Sequence, residues 1–124
     1  NGNALSVQNG SLNDAAPLAL SANGGDSALW RLMPSSGGSV ALLNKRSGQL
    51  VNIPGPSKQA GAKLIQYYDD GQDNSRWRVT PVKNGVVALV SRYDDQAIDV
   101  QGDTVVQSPR GDGLGQQWRL VPVR

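Results

Sequence analysis

The chain has 124 residues, enough for one domain with a buried core but not comfortably for two. At 38% hydrophobic and 18% charged it reads as neither disordered nor membrane-embedded, and no apolar run nears the length of a membrane span. With no Cys and no His, disulfides, thiolate and imidazole chemistry and the metal sites built on them are excluded, and a net charge of +2 is too small for a nucleic-acid footprint.

Helical periodicity is almost absent. The apolar runs are short and bounded by Gly, Pro, Asn, Asp and Ser, as strands are. In chain order they predict strands at 3–8, 17–22 and 28–33, then 39–45, 49–53, 62–68 and 75–82, then 86–92, 96–101, 104–108 and 116–123. The segment Ile53-Pro54-Gly55-Pro56 is a turn-rich loop whose prolines remove ladder donors.

These strands fall into a repeat. Trp30-Arg31-Leu32-Met33-Pro34, Trp77-Arg78-Val79-Thr80-Pro81 and Trp118-Arg119-Leu120-Val121-Pro122 share one form, and they contain the only three tryptophans, 47 and 41 residues apart. Residues 38–55 lie on 85–102 without a gap. Val51 then falls on Ile98 and Asn52 on Asp99. Residues 2–7 match 48–53, so the first copy fits only from its middle. Self-similarity at this period marks repeated supersecondary units, here about 1–36, 37–83 and 84–124. Four strands in each complete unit could also be propeller blades, but three blades are too few to close a ring.

The aliphatic strand, Ser47-Gly48-Gln49-Leu50-Val51-Asn52-Ile53, Leu64-Ile65-Gln66-Tyr67-Tyr68 and Asp73-Asn74-Ser75-Arg76-Trp77 together resemble the ricin-type β-trefoil. Gln116-Gln117-Trp118 matches that family's Gln-x-Trp signature, whereas Ser75-Arg76-Trp77 and Ala28-Leu29-Trp30 keep only the Trp. The resemblance covers the chain from residue 2 onward. It implies an all-β, single β-trefoil domain over 1–124 with pseudo-threefold symmetry, in which Trp30, Trp77 and Trp118 are equivalent, largely buried core residues. A closed trefoil would have twelve strands. Eleven are found, the first strand of repeat one being missing, and residues preceding Asn1 are expected to supply it.

The resemblance also implies a shallow sugar pocket in each lobe. Its parts are an acceptor on the second strand, a polar residue on the third, an aromatic ring two positions later and an amide near the signature Trp. Carried over, the second lobe offers Asn52, Gln66, Tyr68 and Asn74. The third offers Asp99, Gln107 and Gln116, with Pro109 at the ring position. The first, with Ser6, Ala19, Ser21 and Ser27, keeps almost none of the site. Tyr67 is expected on the other face, in core or barrel-cap packing.

The implied function is non-catalytic glycan binding, with a glycan or polysaccharide as partner, no cofactor, no nucleic acid and no membrane insertion. An extracellular setting and an upstream catalytic or toxin domain follow from the resemblance alone. The alternative is a trefoil with degenerate sugar sites that serves protein interaction or structure. The acidic stretch Asp69-Asp70-Gly71-Gln72-Asp73-Asn74 lacks the ligand order of a calcium loop, and no metal site is expected. The carboxylates lie on separate loops, so an enzyme is not expected.

Overall fold

A computed structural model describes residues 3–22 and 25–123. The first unit contributes β1 (Ala4–Val7), β2 (Leu18–Ser21) and β3 (Trp30–Pro34). The second contributes β4 (Val40–Asn44), β5 (Leu50–Asn52), β6 (Ile65–Tyr67) and β7 (Trp77–Lys83). The third contributes β8 (Val86–Ser91), β9 (Ala97–Gln101), β10 (Thr104–Ser108) and β11 (Trp118–Arg119). All eleven join one antiparallel sheet, and the described residues contain 3₁₀ turns but no α-helix. Each apolar run expected to be a strand overlaps one, with β3 and β7 each ending one residue beyond the expected bound. The run at 116–123 is the most reduced, since only Trp118–Arg119 pairs.

The register shows the threefold repeat. β3 turns into β4 and β7 into β8 as hairpins, with Trp30 opposite Asn44 and Trp77 opposite Ser91. The next Trp strand pairs on the other side, Val40 with Trp77 and Val87 with Trp118. The third strands touch in a ring, through Pro17–Ile65, Lys63–Val106 and Thr104–Ala19. Equivalent side chains fill the centre: Leu5, Val51 and Ile98 from the second strands, and Leu18, Leu64 and Val105 from the third, all buried. Strand alternation explains this, because every second residue of a short strand faces inward.

The three tryptophans stand in equivalent places. Each indole N–H donates to a second-strand carbonyl: Trp30 to Leu5 at 2.9 Å, Trp77 to Val51 at 3.1 Å and Trp118 to Ile98 at 3.1 Å. Their burial differs from the expectation. Trp77 is wholly buried, whereas Trp30 and Trp118 are half-buried and pack against the core from its margin.

Glutamines tie the units together. Gln66 Nε2 donates to the carbonyls of Ser11 and Asn13, and Gln49 Nε2 to that of Leu12. One unit further on, Gln107 Nε2 donates to Ser57 and Gln59, and Gln96 Nε2 to Lys58. The long β1–β2 and β5–β6 loops are thus each held by the following unit. The β9–β10 connection has no such loop. It is a tight turn at Gly102, whose φ of 62° suits glycine, and Leu20 stands at the clamping position of unit one.

Candidate functional site

In the first and second lobes the second strand, the third strand and the 3₁₀ turn before the Trp surround a surface depression. In the second lobe this is a shallow cleft of about 310 Å³. Its floor and walls are Asn52 from β5, Ile65 and Tyr67 from β6, Asn74 from the 3₁₀ turn, the loop residues Pro54, Gly55 and Pro56, and Asp70 and Gln72. Asn52 is buried and donates through Nδ2 to Ser75 Oγ at 2.6 Å. Asn74 Nδ2 donates to the Ile53 carbonyl at 2.9 Å, while its buried Oδ1 has no partner among the described residues.

Two of the expected second-lobe residues do not line this cleft. Gln66 opposes Val51 in the ladder, so it shares the inward face and spends its amide on the Ser11 and Asn13 carbonyls. Tyr68 follows the last β6 residue and is 52% exposed, its ring lying 4.4 Å from that of Tyr67. The aromatic on the cleft is Tyr67, expected in core or barrel-cap packing but placed on the outward face with Ile65. The strand period explains the swap: Ile65 opposes Asn52, and Tyr67 lies two residues along the same face. The Tyr67 hydroxyl titrates above its ordinary value, chiefly through the neighbouring Tyr68 hydroxyl.

Asp70 and Gln72 were not among the expected site residues. They reach the cleft on a loop fixed by Asp69, which accepts from the Gly71 amide at 3.0 Å and pairs with Arg76 at 3.0 Å. The Gly71 amide chiefly, with help from Arg76, holds the Asp69 carboxyl below the usual carboxylate range, against the opposing effect of burial. The sequence signal was the acidic turn itself, which by composition alone reads as solvated surface.

The third lobe brings Asp99 and Gln116 together but directs them at each other. Asp99 Oδ1 accepts from the Val100 amide at 2.7 Å, and Oδ2 accepts from Gln116 Nε2 at 3.3 Å. Gln116 also donates to the Pro109 carbonyl and accepts from the Gly111 amide. Gly115 permits this arrangement, since a Cβ there would collide with Asp99 Oδ1. Gln107 does not join them; it is buried and faces the β5–β6 loop of the second lobe. The position equivalent to Tyr67 is Ser108, so neither it nor Pro109 supplies a ring.

The first lobe forms a wider cleft, about 650 Å³, lined by Ser6, Ala19, Ser21 and Ser27 together with Asp26 and Arg46, and among the described residues no aromatic lines it. Ser6 Oγ is engaged with Ser27.

A barrel-like all-β sheet built of three repeated units with equivalent Trp strands has the architecture of a β-trefoil. The sequence profile described as ricin-type β-trefoil lectin domain-like matches residues 1–67 and 26–109, and the chain belongs to that family. No match was found among curated proteins. Among solved structures, the designed threefold-symmetric protein ThreeFoil is 36% identical, with a TM-score of 0.95 over 98% of this chain and 92% of that one. The exo-β-1,3-galactanase 1,3Gal43A from Clostridium thermocellum is 32% identical, with a TM-score of 0.92, over 96% of this chain but only 27% of the galactanase. The Polyporus squamosus lectin, solved with the epitope Neu5Acα2-6Galβ1-4GlcNAc, is 20% identical, with a TM-score of 0.78, over 94% of this chain and 43% of the lectin, a likeness of fold.

Proposed function

We propose that this domain binds a glycan, without catalysis, through the second-lobe cleft. The observation that carries the reading is the convergence there of the Tyr67 ring with the amides of Asn52 and Asn74 and the Asn74 Oδ1 that lacks a partner. A pyranose offers an apolar C–H face to a π-face and hydroxyls to amides and carboxylates. Asn52 forgoes the charge assistance that an aspartate would give, and Asp70 supplies a carboxylate at the same cleft. That is one carboxylate, where glycoside hydrolysis ordinarily takes two across a scissile bond. The galactanase and the lectin support β-galactosides as the first probes. The galactanase, of which this chain matches only 27%, supports a place beside a catalytic domain, and a toxin domain or a secreted parent protein stays part of the proposal on the family resemblance alone.

The competing reading, a trefoil with degenerate sites serving protein contact, is favoured by the self-satisfied Asp99–Gln116 pair of the third lobe. An amide-resolved NMR titration with lactose and β-1,3-galacto-oligosaccharides separates the two. Glycan binding predicts saturable shifts around Asn52, Tyr67 and Asn74 at dissociation constants on the order of millimolar, about −4 kcal/mol. If a glycan array and the titration both stay blank, the contact reading stands.

A further inference from the structure

The lobes differ in the charge they present. In the third, the Asp99 carboxylate is spent on the Val100 amide and Gln116. In the first, Asp26 is paired with Lys45, and Arg46 brings a positive charge to the cleft. The second-lobe cleft is lined by the Asp70 carboxylate, and among the described residues no Lys or Arg lines it.

Another carboxylate stands near the same ring. The β1–β2 loop crosses to β6, where the Ala15 amide donates to the Gln66 carbonyl and the Gln66 amide to the Ala16 carbonyl, both at 2.9 Å. These bonds bring Asp14 close to Tyr67. The Tyr67 hydroxyl, raised chiefly by its Tyr68 neighbour, is raised further by the charges of Asp14 and Asp70. Neither aspartate is ion-paired among the described residues. The Gln72 amide holds Asp70 in place at 3.1 Å.

The amides add to the same polarity. Asn52 and Asn74 turn their nitrogens onto Ser75 Oγ and the Ile53 carbonyl. What Asn74, only 6% exposed, keeps without a partner among the described residues is an acceptor, Oδ1. A ring face, two carboxylates without cations and an unused amide oxygen disfavour an anion and suit an ammonium group. The carboxylates attract its charge, the acceptors take its N–H groups, and the π-face adds a cation–π contact.

We propose that the second-lobe cleft selects amino sugars: its preferred ligand is a pyranose carrying a free ammonium group, and acidic sugars are disfavoured. The proposal rests on glycan binding at this cleft. Tyr67 takes the apolar face of the sugar, and Asp70 and Asp14 hold the ammonium charge from the rim.

The test is an amide-resolved NMR titration near neutral pH with galactose and three sugars that each differ from it at one substituent: galactosamine, N-acetylgalactosamine and galacturonic acid. Ethanolamine serves as an amine that is not a sugar. Galactosamine should bind about fivefold or more tighter than galactose. N-acetylgalactosamine should lose that gain, and galacturonic acid should bind more weakly than galactose. The gain should shrink as added salt screens the charges. Asp70→Asn combined with Asp14→Asn should bring the ratio of galactosamine to galactose affinity close to one, a readout that a merely loosened loop would not move. Galactosamine binding no tighter than galactose, or a ratio that survives both substitutions, would overturn the proposal and leave glycan binding standing. Silence with all four sugars would overturn both. Ethanolamine binding as tightly as galactosamine would also overturn it, because the cleft would then take amines without a sugar.

Discussion

The second and third lobes share a backbone plan and differ in what the plan carries. In the second, a long β5–β6 loop walls the cleft, Tyr67 floors it, and Asn74 leaves an acceptor without a partner. In the third, a tight turn replaces the loop, Ser108 replaces the ring, and Asp99 and Gln116 satisfy each other. The repeat by itself therefore does not give each lobe the same surface: the loop, the ring and the hydrogen-bond partners of the polar side chains differ from one to the other.

The difference between the lobes can be broken most severely at their tryptophans. Trp77→Ala should lower unfolding free energy by about 3–5 kcal/mol, the usual cost of emptying a buried aromatic site. Trp118→Ala should cost clearly less, because its ring is already half-buried. Chemical denaturation of both variants measures this, and equal losses would remove the asymmetry described above.

Binding is the next largest effect. Tyr67→Ala should weaken galactoside binding at least about tenfold, the equivalent of about 1.4 kcal/mol, whereas Asp99→Ala should leave the affinity unchanged. Titration calorimetry or NMR at high ligand concentration decides it. A loss with Asp99→Ala and none with Tyr67→Ala would move the site to the third lobe.

Gln107 sharpens the comparison further, since it belongs to the third unit but serves the second lobe. Gln107→Leu releases the Ser57 and Gln59 carbonyls and should cost about 1 kcal/mol of stability, a typical net hydrogen-bond contribution. It should also weaken binding at the second-lobe cleft by a few-fold through the loosened loop. Unchanged binding beside the expected stability loss would show that the loop holds its shape without the clamp.

The smallest effect concerns pH. The Asp69 carboxyl is depressed in the folded state, so its contribution is present above its unfolded pKa and lost as pH falls through the lower folded value. The side chain is 56% exposed, which keeps the contribution small. Asp69→Asn should therefore be slightly less stable than the parent at neutral pH, and the two should converge in acid below the usual carboxylate range. A difference that persists or grows in acid would assign the effect to something other than this charge.

The sequence alone determined much of this molecule. The three Trp-Arg motifs and the gapless match of 38–55 to 85–102 showed the repeat, and the apolar runs between turn residues marked the eleven strands of the described residues, because alternation and turn residues are local signals. Asn52 and Asn74, carried over from the family resemblance, both line the second-lobe cleft. Counting from the motif could not decide which of two adjacent tyrosines faces outward, for a step of one residue on a strand reverses the face. Nor could it show that Gln66 and Gln107 are spent on loop carbonyls of the preceding unit, since those partners lie 53 and 48 residues or more away in the chain. Burial of the tryptophans was likewise settled only by assembly. The three carry the same local pattern, and what separates Trp77 from Trp30 and Trp118 is the number of neighbouring strands that the tertiary structure brings to each.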